Sequence, residues 1–227
     1  MMPKILSSKS LQLSKTTFSS LHNHVLSSFA SLDNDSFYED EWLREAGGGI
    51  SCVIENGSVF EKAAVNFSYI TGDDLPLSAL KQRVSVKFDS FVATGVSVIA
   101  HPVNPYVPTS HMNVRVFFLL EDGIVKAWWF GGGYDLTPYF VFEEDVYQWH
   151  YHAMLALGDY SGDRYTRYKS QCDKYFYLPH RQEARGVGGI FYDQVNDLSF
   201  DEGLSLSQKV LMTYVNSYTH IVRKRSD

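Results

Sequence analysis

Three prolines, Pro102, Pro105 and Pro108, stand between two apolar runs, GVSVIA (95–100) and NVRVFFLL (113–120). Each proline fixes φ and removes a backbone donor, so 102–108 cannot continue a helix or an inner strand. Spaced three apart, they recur once per turn of polyproline II, which predicts a stiff, extended segment. At about 3.1 Å per residue, that geometry would separate His101 from His111 by roughly 30 Å. If the flanking runs pair antiparallel, the segment instead leaves and re-enters at one sheet end. His101, His111 and Arg115 then approach one another, with Ser97 near the same mouth. PxxP spacing also occurs in SH3 ligands, but those lie in exposed tails, and strand-like flanks favour a rigid loop.

The same strand grammar continues on both sides. GGGISCVIENGSVFEKAAVNFSYI holds two β-type runs, 50–54 and 58–70, joined by Glu55-Asn56-Gly57, a strong hairpin signal. Glu121-Asp122-Gly123 turns the 113–120 strand into a third, IVKAWWF (124–130), and 189–195 reads as a further strand. Helical spacing marks Phe18, Leu21, Val25, Phe29 and Leu32 as one amphipathic face, and Phe142, Val146, Trp149, Ala153 and Leu157 as another. Tyr165, Tyr168, Cys172 and Phe176, and then Val210, Leu211, Tyr214, Tyr218 and Ile221, complete the helices. From Pro76 to Gly95, the spacing of Leu77, Leu80, Val84, Phe88 and Phe91 predicts a helix that Gly95 stops. Strands and helices mix without βαβ regularity, which favours a single α+β domain.

At 227 residues and 44% apolar content the chain can bury a sizeable core. Its formal charge of -6 argues against nucleic acid as a partner, so an acidic ligand must meet arginines locally. Cys52 and Cys172 have no CxxC or CxxH companion, and no apolar run is long enough for a membrane span. These features suggest a reducing compartment and a cytoplasmic protein. The first 32 residues lack Asp and Glu and are rich in Ser, as transit peptides are, yet their helical spacing assigns them to the fold.

Three segments can carry chemistry. His101 and His111 bracket the proline loop, and imidazole moves protons near neutral pH. FGGGYDLTP (130–138) places Asp135 beyond three glycines, either as a turn residue or as a functional carboxylate; it matches no nucleotide-binding pattern. HRQEARGVGGIFYD (180–193) carries His180, Arg181 and Arg185, whose guanidinium groups could meet a ligand's carboxylates or pair with Glu183 and local acids. His22, His24 and His220 read as helix-surface residues. His150 and His152, two apart, point to different helix faces and cannot easily share a metal.

Taken together, WLREAGGGISCV, NGSVFEKAAVNFS, HPVNPYVPTSHMNVR, WWFGGGYDLTPYF, FEEDVYQWH, YFYLPHR and GVGGIFYD resemble, in order, the oxygen-dependent coproporphyrinogen III oxidases. The resemblance implies a large, rather flat antiparallel sheet flanked by helices on both sides, in a domain spanning 18–227 after an extension at 1–17. It implies a homodimer that converts two propionates of coproporphyrinogen III to vinyl groups in haem synthesis. Molecular oxygen would be the co-substrate, with no flavin, haem or nicotinamide. By matching motif, His111 takes the acid/base role and Asp135 contacts pyrrole N–H groups. Ser97, Asn113, Val114 and Arg115 bind substrate, with Arg115 gripping a propionate. Positions matching His101, His111, His150 and His180 hold a divalent metal in some bacterial relatives. Ala64 and Gln194 depart from the family pattern, and the RRGRYVEFNL-like, DRGT and GGRTES segments that follow the last helix in relatives do not occur before Asp227. Their lack motivates an alternative expectation, an inactive tetrapyrrole-binding member.

Overall fold

A computed structural model describes residues 8–74, 86–158, 160 and 163–226. The chain opens with α1 (Ser8–Ala30) and then lays down β1 (Tyr38–Arg44), β2 (Gly47–Glu55), β3 (Phe60–Gly72), β4 (Ser90–Pro102), β5 (Thr109–Glu121) and β6 (Ile124–Thr137). Helices α2 (Glu143–Leu157) and α3 (Arg164–Tyr175) follow, then a small hairpin, β7 (Tyr177–Leu178) and β8 (Glu183–Ala184). Strand β9 (Gly188–Val195) and helix α4 (Phe200–Arg225) end it. Seven strands form one antiparallel sheet in the order β1-β2-β3-β4-β5-β6-β9, flanked by the four helices. This is the expected α+β architecture.

Alternation along the central strands sorts side chains between two faces. On one face Val96, Val98, Met112, Val114, Val116, Phe130 and Tyr134 are buried beneath helices. Phe18, Leu21, Val25 and Phe29 of α1 meet them, as the helical spacing requires, each contributing about 1.5–3 kcal/mol of burial. Phe29 stacks on Phe60 at 5.3 Å and touches Tyr218 of α4, which ties both helices to the sheet. Trp149 of α2 is fully buried against Tyr134 and donates its indole N–H to the Gly188 carbonyl. Helix α3 lies along the β9 edge: Tyr168 stacks on Tyr192, while Tyr175 reaches round to Phe191, which points to the opposite face. A helix along an outer strand blunts that edge against pairing with other chains.

The proline loop is held from the helical side. It is a compact turn rather than extended polyproline II, because Val107 N–H donates to the Asn104 carbonyl and Tyr106 N–H to the Asn104 side chain. Tyr218 donates to the Pro108 carbonyl, and the Ser110 and Tyr214 hydroxyls lie 2.8 Å apart. Asn104 Nδ2 donates to the carbonyl of Arg225, whose guanidinium binds Asp145. That ion pair joins the basic last turn of α4 to the acidic first turn of α2, each charge placed to suit its helix dipole. At its other end, α4 starts with a capping box of Ser199 and Glu202.

Several expectations need correction. Residues 90–95 belong to β4 rather than to a helix, and Leu77, Leu80 and Val84 lie outside the described residues. Strand β6 runs through the glycine triplet instead of ending at 130. Strand β1 was not anticipated, since YEDEWLR is mostly charged and exposed, as suits an outer strand. His22 is buried, its Nε2 3.2 Å from the Val65 carbonyl. Helix α1 passes without a break through the boundary expected at 17/18.

Asp33, just past α1, staples that helix to the β2–β3 hairpin. Its carboxylate accepts from Ser58 N and Oγ, Val59 N, Phe60 N and Asp35 N, at 2.7–3.2 Å. Burial pushes its pKa up, but these hydrogen bonds together hold it well below the usual carboxylate range. The stabilisation is therefore present above the ordinary carboxylate pKa and is lost as pH falls. Asp33→Ala strands several donors and is expected to cost about 3 kcal/mol in urea denaturation at pH 7, with the gap from wild type narrowing in acid. A loss below about 1 kcal/mol would mean that water replaces the carboxylate.

Candidate active site

Residues directly opposite each other in an antiparallel ladder share a face. One cross-sheet row reads Ile99–His111–Asp135–Gly189, the next Asn66–Ser97–Asn113–Gly133–Phe191, and the next Gly95–Arg115–Gly131. Register alone thus gathers Ser97, His111, Asn113, Arg115 and Asp135 on the face turned away from α1 and α4. One row further, Phe117 stacks on Trp129 at 5.3 Å, so this face is polar at the proline-loop end and apolar at the other. Val114 is the exception among the expected binding residues. Its side chain is fully buried in the core, on the opposite face, because it sits between Asn113 and Arg115 on an alternating strand.

The loop doubles back as the antiparallel pairing requires: His101 and His111 lie edge to face with ring centroids 6.0 Å apart. The four histidines expected as a metal set do not assemble. His150 sits on α2 with Nε2 3.0 Å from the Val187 carbonyl, and His180 is exposed in the β7–β8 turn. Among the described residues, no three His, Cys, Asp or Glu side chains are arranged to hold a metal ion.

Asp135 has no solvent-exposed surface, and both its oxygens are taken by Arg185, from Nε at 2.9 Å and a terminal nitrogen at 2.8 Å. Arg185 in turn lies over the Phe176 ring at 3.9 Å. Arginine is suited to this position because its planar fork binds a carboxylate bidentately and stacks on an aromatic face at once. Burial pushes Asp135 up to about 6 against the opposing pull of Arg185. Burial, then Arg185 and His101, push His111 down to about 4. Its Nδ1, 3.7 Å from Asp135 Oδ1, has no hydrogen-bond partner. At neutral pH the imidazole is therefore uncharged and able to accept a proton, beside an ionised carboxylate already neutralised by arginine.

Arg115 is tied in two directions, to Asn113 Oδ1 at 2.8 Å and to Asp193 of β9 at 3.2 Å. Arg185 was expected to meet a ligand's carboxylate or to pair with local acids, and it pairs with Asp135, whereas no site role was expected for Asp193. Arg185 carried a signal, an arginine before glycines in HRQEARGVGG. Asp193 carried none, since its partner lies two strands away in the sheet.

The profile of the coproporphyrinogen III oxidase family matches residues 13–227. The chain belongs to that family. Membership marks it as an oxidoreductase of porphyrin and haem biosynthesis with a small-molecule tetrapyrrole substrate. Arg115 and Arg185 are each about 30% exposed at the side chain (29% and 28%), and each is paired with a carboxylate of this chain. No helix among the described residues is long and apolar enough to cross a membrane.

The depressed His111 pKa has a measurable consequence. The folded state binds the imidazole proton less tightly than the unfolded chain, whose ordinary value is 6.5. Its contribution to stability is thus present above about pH 6.5 and lost as pH falls towards 4. Asp135 titrates in the opposite sense, so the comparison must isolate His111. His111→Gln is expected to lose less melting temperature than wild type between pH 7 and pH 4.5. An equal or larger loss in the variant would contradict the desolvated imidazole.

Proposed function

We propose that the protein catalyses the oxygen-dependent oxidative decarboxylation of two propionates of coproporphyrinogen III, giving the vinyl groups of protoporphyrinogen IX. The main support is a single juxtaposition: an uncharged, half-buried imidazole, a buried carboxylate–arginine pair and a tethered arginine share one face of the sheet. Arg115 keeps donors beyond those used by Asn113 and Asp193, and these suit a propionate carboxylate. Ser97, directly opposite Asn113, adds a hydroxyl beside them. Asp135 faces the macrocycle only if Arg185 swings away, so in the free protein its first task is to hold Arg185 in place.

Each turnover converts R–CH2–CH2–COO⁻ to R–CH=CH2 and CO2, releasing one proton and two electrons. His111, uncharged and on the same face as Arg115, is the candidate base for the proton, and a positioned base contributes about 10²–10⁴-fold to rate. The two electrons reduce molecular oxygen, which leaves as H2O2 with that proton and one from solvent, so that R–CH2–CH2–COO⁻ + O2 + H⁺ gives R–CH=CH2 + CO2 + H2O2. The proposal needs no flavin, haem or nicotinamide, and it takes the enzyme to be a cytoplasmic homodimer.

Incubation with coproporphyrinogen III under air and under argon, followed by protoporphyrin fluorescence after chemical oxidation, tests this directly. Product is expected under air alone, and His111→Ala should lower kcat by about 10²–10⁴-fold. Tight tetrapyrrole binding without product above a no-protein control would reduce the protein to a binding member of the family. Unchanged turnover in His111→Ala would remove the imidazole from the proton transfer.

A further inference from the structure

We propose that Asp193 is a positioning residue for Arg115, aimed at it by a bulge in β9 and given room by Gly131. The proposal rests on the reading of Arg115 as the group that grips a substrate carboxylate.

The pairing of β6 with β9 shifts register between Phe130 and Gly132: Phe130 faces Val195 while Gly132 faces Tyr192. Two residues of β9, Asp193 and Gln194, therefore stand where β6 offers only Gly131. Gln194 adopts φ 57°, and its N–H donates to Asp193 Oδ1 at 3.0 Å. A bulge of this kind bends its strand and re-aims a side chain. Here it turns the Asp193 carboxylate across Gly131 towards Arg115, with Oδ1 3.2 Å from the terminal nitrogen.

Gly131 leaves the space that the pair occupies. A Cβ on that residue would lie 2.7 Å from Asp193 Oδ1 and 3.1 Å and 3.2 Å from Nε and Cζ of Arg115. On the other flank, a Cβ at Gly95 would lie 2.9 Å from the Arg115 Cβ. Arg115 thus lies down between two strands that carry no side chain at its level.

The second tether is equally defined. Asn113 Nδ2 donates to the Val96 carbonyl at 3.3 Å, which turns its Oδ1 towards Arg115 and sets the 2.8 Å hydrogen bond. A guanidinium has five N–H donors in a rigid plane, so two anchors in different directions fix that plane and leave the others for a ligand. Without Asp193, a long side chain rich in rotamers hangs from one hydrogen bond. Ion pairs as exposed as this one contribute little to stability, so holding Arg115 still is the effect that remains.

Charge and position predict opposite signs, which makes the idea testable without turnover. Removing Asp193 takes a negative charge from beside an anionic ligand, and electrostatics alone would tighten binding. If Asp193 positions Arg115, binding weakens instead. The probe is coproporphyrin III, a stable tetracarboxylate, titrated by fluorescence against wild type, Asp193→Ala, Asp193→Glu, Gly131→Ala and Arg115→Ala. Asp193→Ala is expected to bind about 10-fold more weakly at an unchanged melting temperature, as a displaced contact does. Asp193→Glu should recover most of the loss. Gly131→Ala should reproduce the loss by pushing the pair aside while keeping both charges. The tetramethyl ester, which has no carboxylate, should bind all variants alike. Equal or tighter coproporphyrin III binding by Asp193→Ala overturns the proposal, as does an Arg115→Ala variant that binds like wild type. A wild-type protein that binds coproporphyrin III but makes no vinyl product under air fails the functional reading alone and leaves this inference to be decided by the binding series.

Discussion

Everything at the site depends on the register of β5 between β4 and β6. Because side chains alternate with period two, a slip of one residue would send His111, Asn113 and Arg115 into the core and bring Met112, Val114 and Val116 to the surface. The hydrophobic side prevents that slip. Val96, Val114 and Phe130 are fully buried beneath α1 and α4, so any other register would expose several large apolar side chains at about 1.5–3 kcal/mol each. The core thus holds the catalytic candidates in place without touching them. The tyrosines of α4 that bind Pro108 and Ser110 then set the approach of the proline loop to β5.

On the polar side, burial and arginine act against each other. Asp135 is buried and would hold its proton more tightly were Arg185 not bound to both its oxygens, and the same guanidinium disfavours a proton on His111. Burial first, and then Arg185, keep the imidazole uncharged, while the same arginine opposes the effect of burial on the Asp135 carboxylate. A charged ligand group that drew Arg185 away would change both protonation equilibria together. A buried ion pair of this kind is weak evidence for stability, since desolvation consumes much of the attraction. Its value here lies in setting which group can take a proton.

Much of this was legible in the residues. The hairpin at Asn56-Gly57, the turn at Asp122-Gly123 and the buried faces of α1, α2 and α4 follow from turn chemistry and period, and each stands where the pattern puts it. The antiparallel pairing of the runs around the proline loop was enough to foresee that His101 and His111 meet, whereas Arg115 shares their face two rows further along β5. Other features depend on neighbours that no local pattern reveals. Phe88 and Phe91 fit a helical period, but Phe91 packs with Leu119 and Trp129 across β-strands. The charged run YEDEWLR carries no alternation because neither face of an outer strand there is fully buried. Val114 was grouped with Asn113 and Arg115 by motif, although alternation places it on the other face.

The glycines of β6 show most directly how a local signal can be read correctly in kind and wrongly in place. Three successive glycines suggest a loop brought close to a ligand, since glycine weakens a strand and suits close approach. Close approach is indeed their effect, but within a strand and towards this chain's own side chains. Gly131 makes room for Arg115 and Asp193, and Gly132, on the other face, for the Tyr192 ring, whose hydroxyl would lie 2.8 Å from a Cβ there. The cost of glycine in a strand interior, roughly 0.5–1 kcal/mol relative to alanine, is offset by packing on both faces. An ion pair can then lie against the sheet, between strands that carry no side chain at its level.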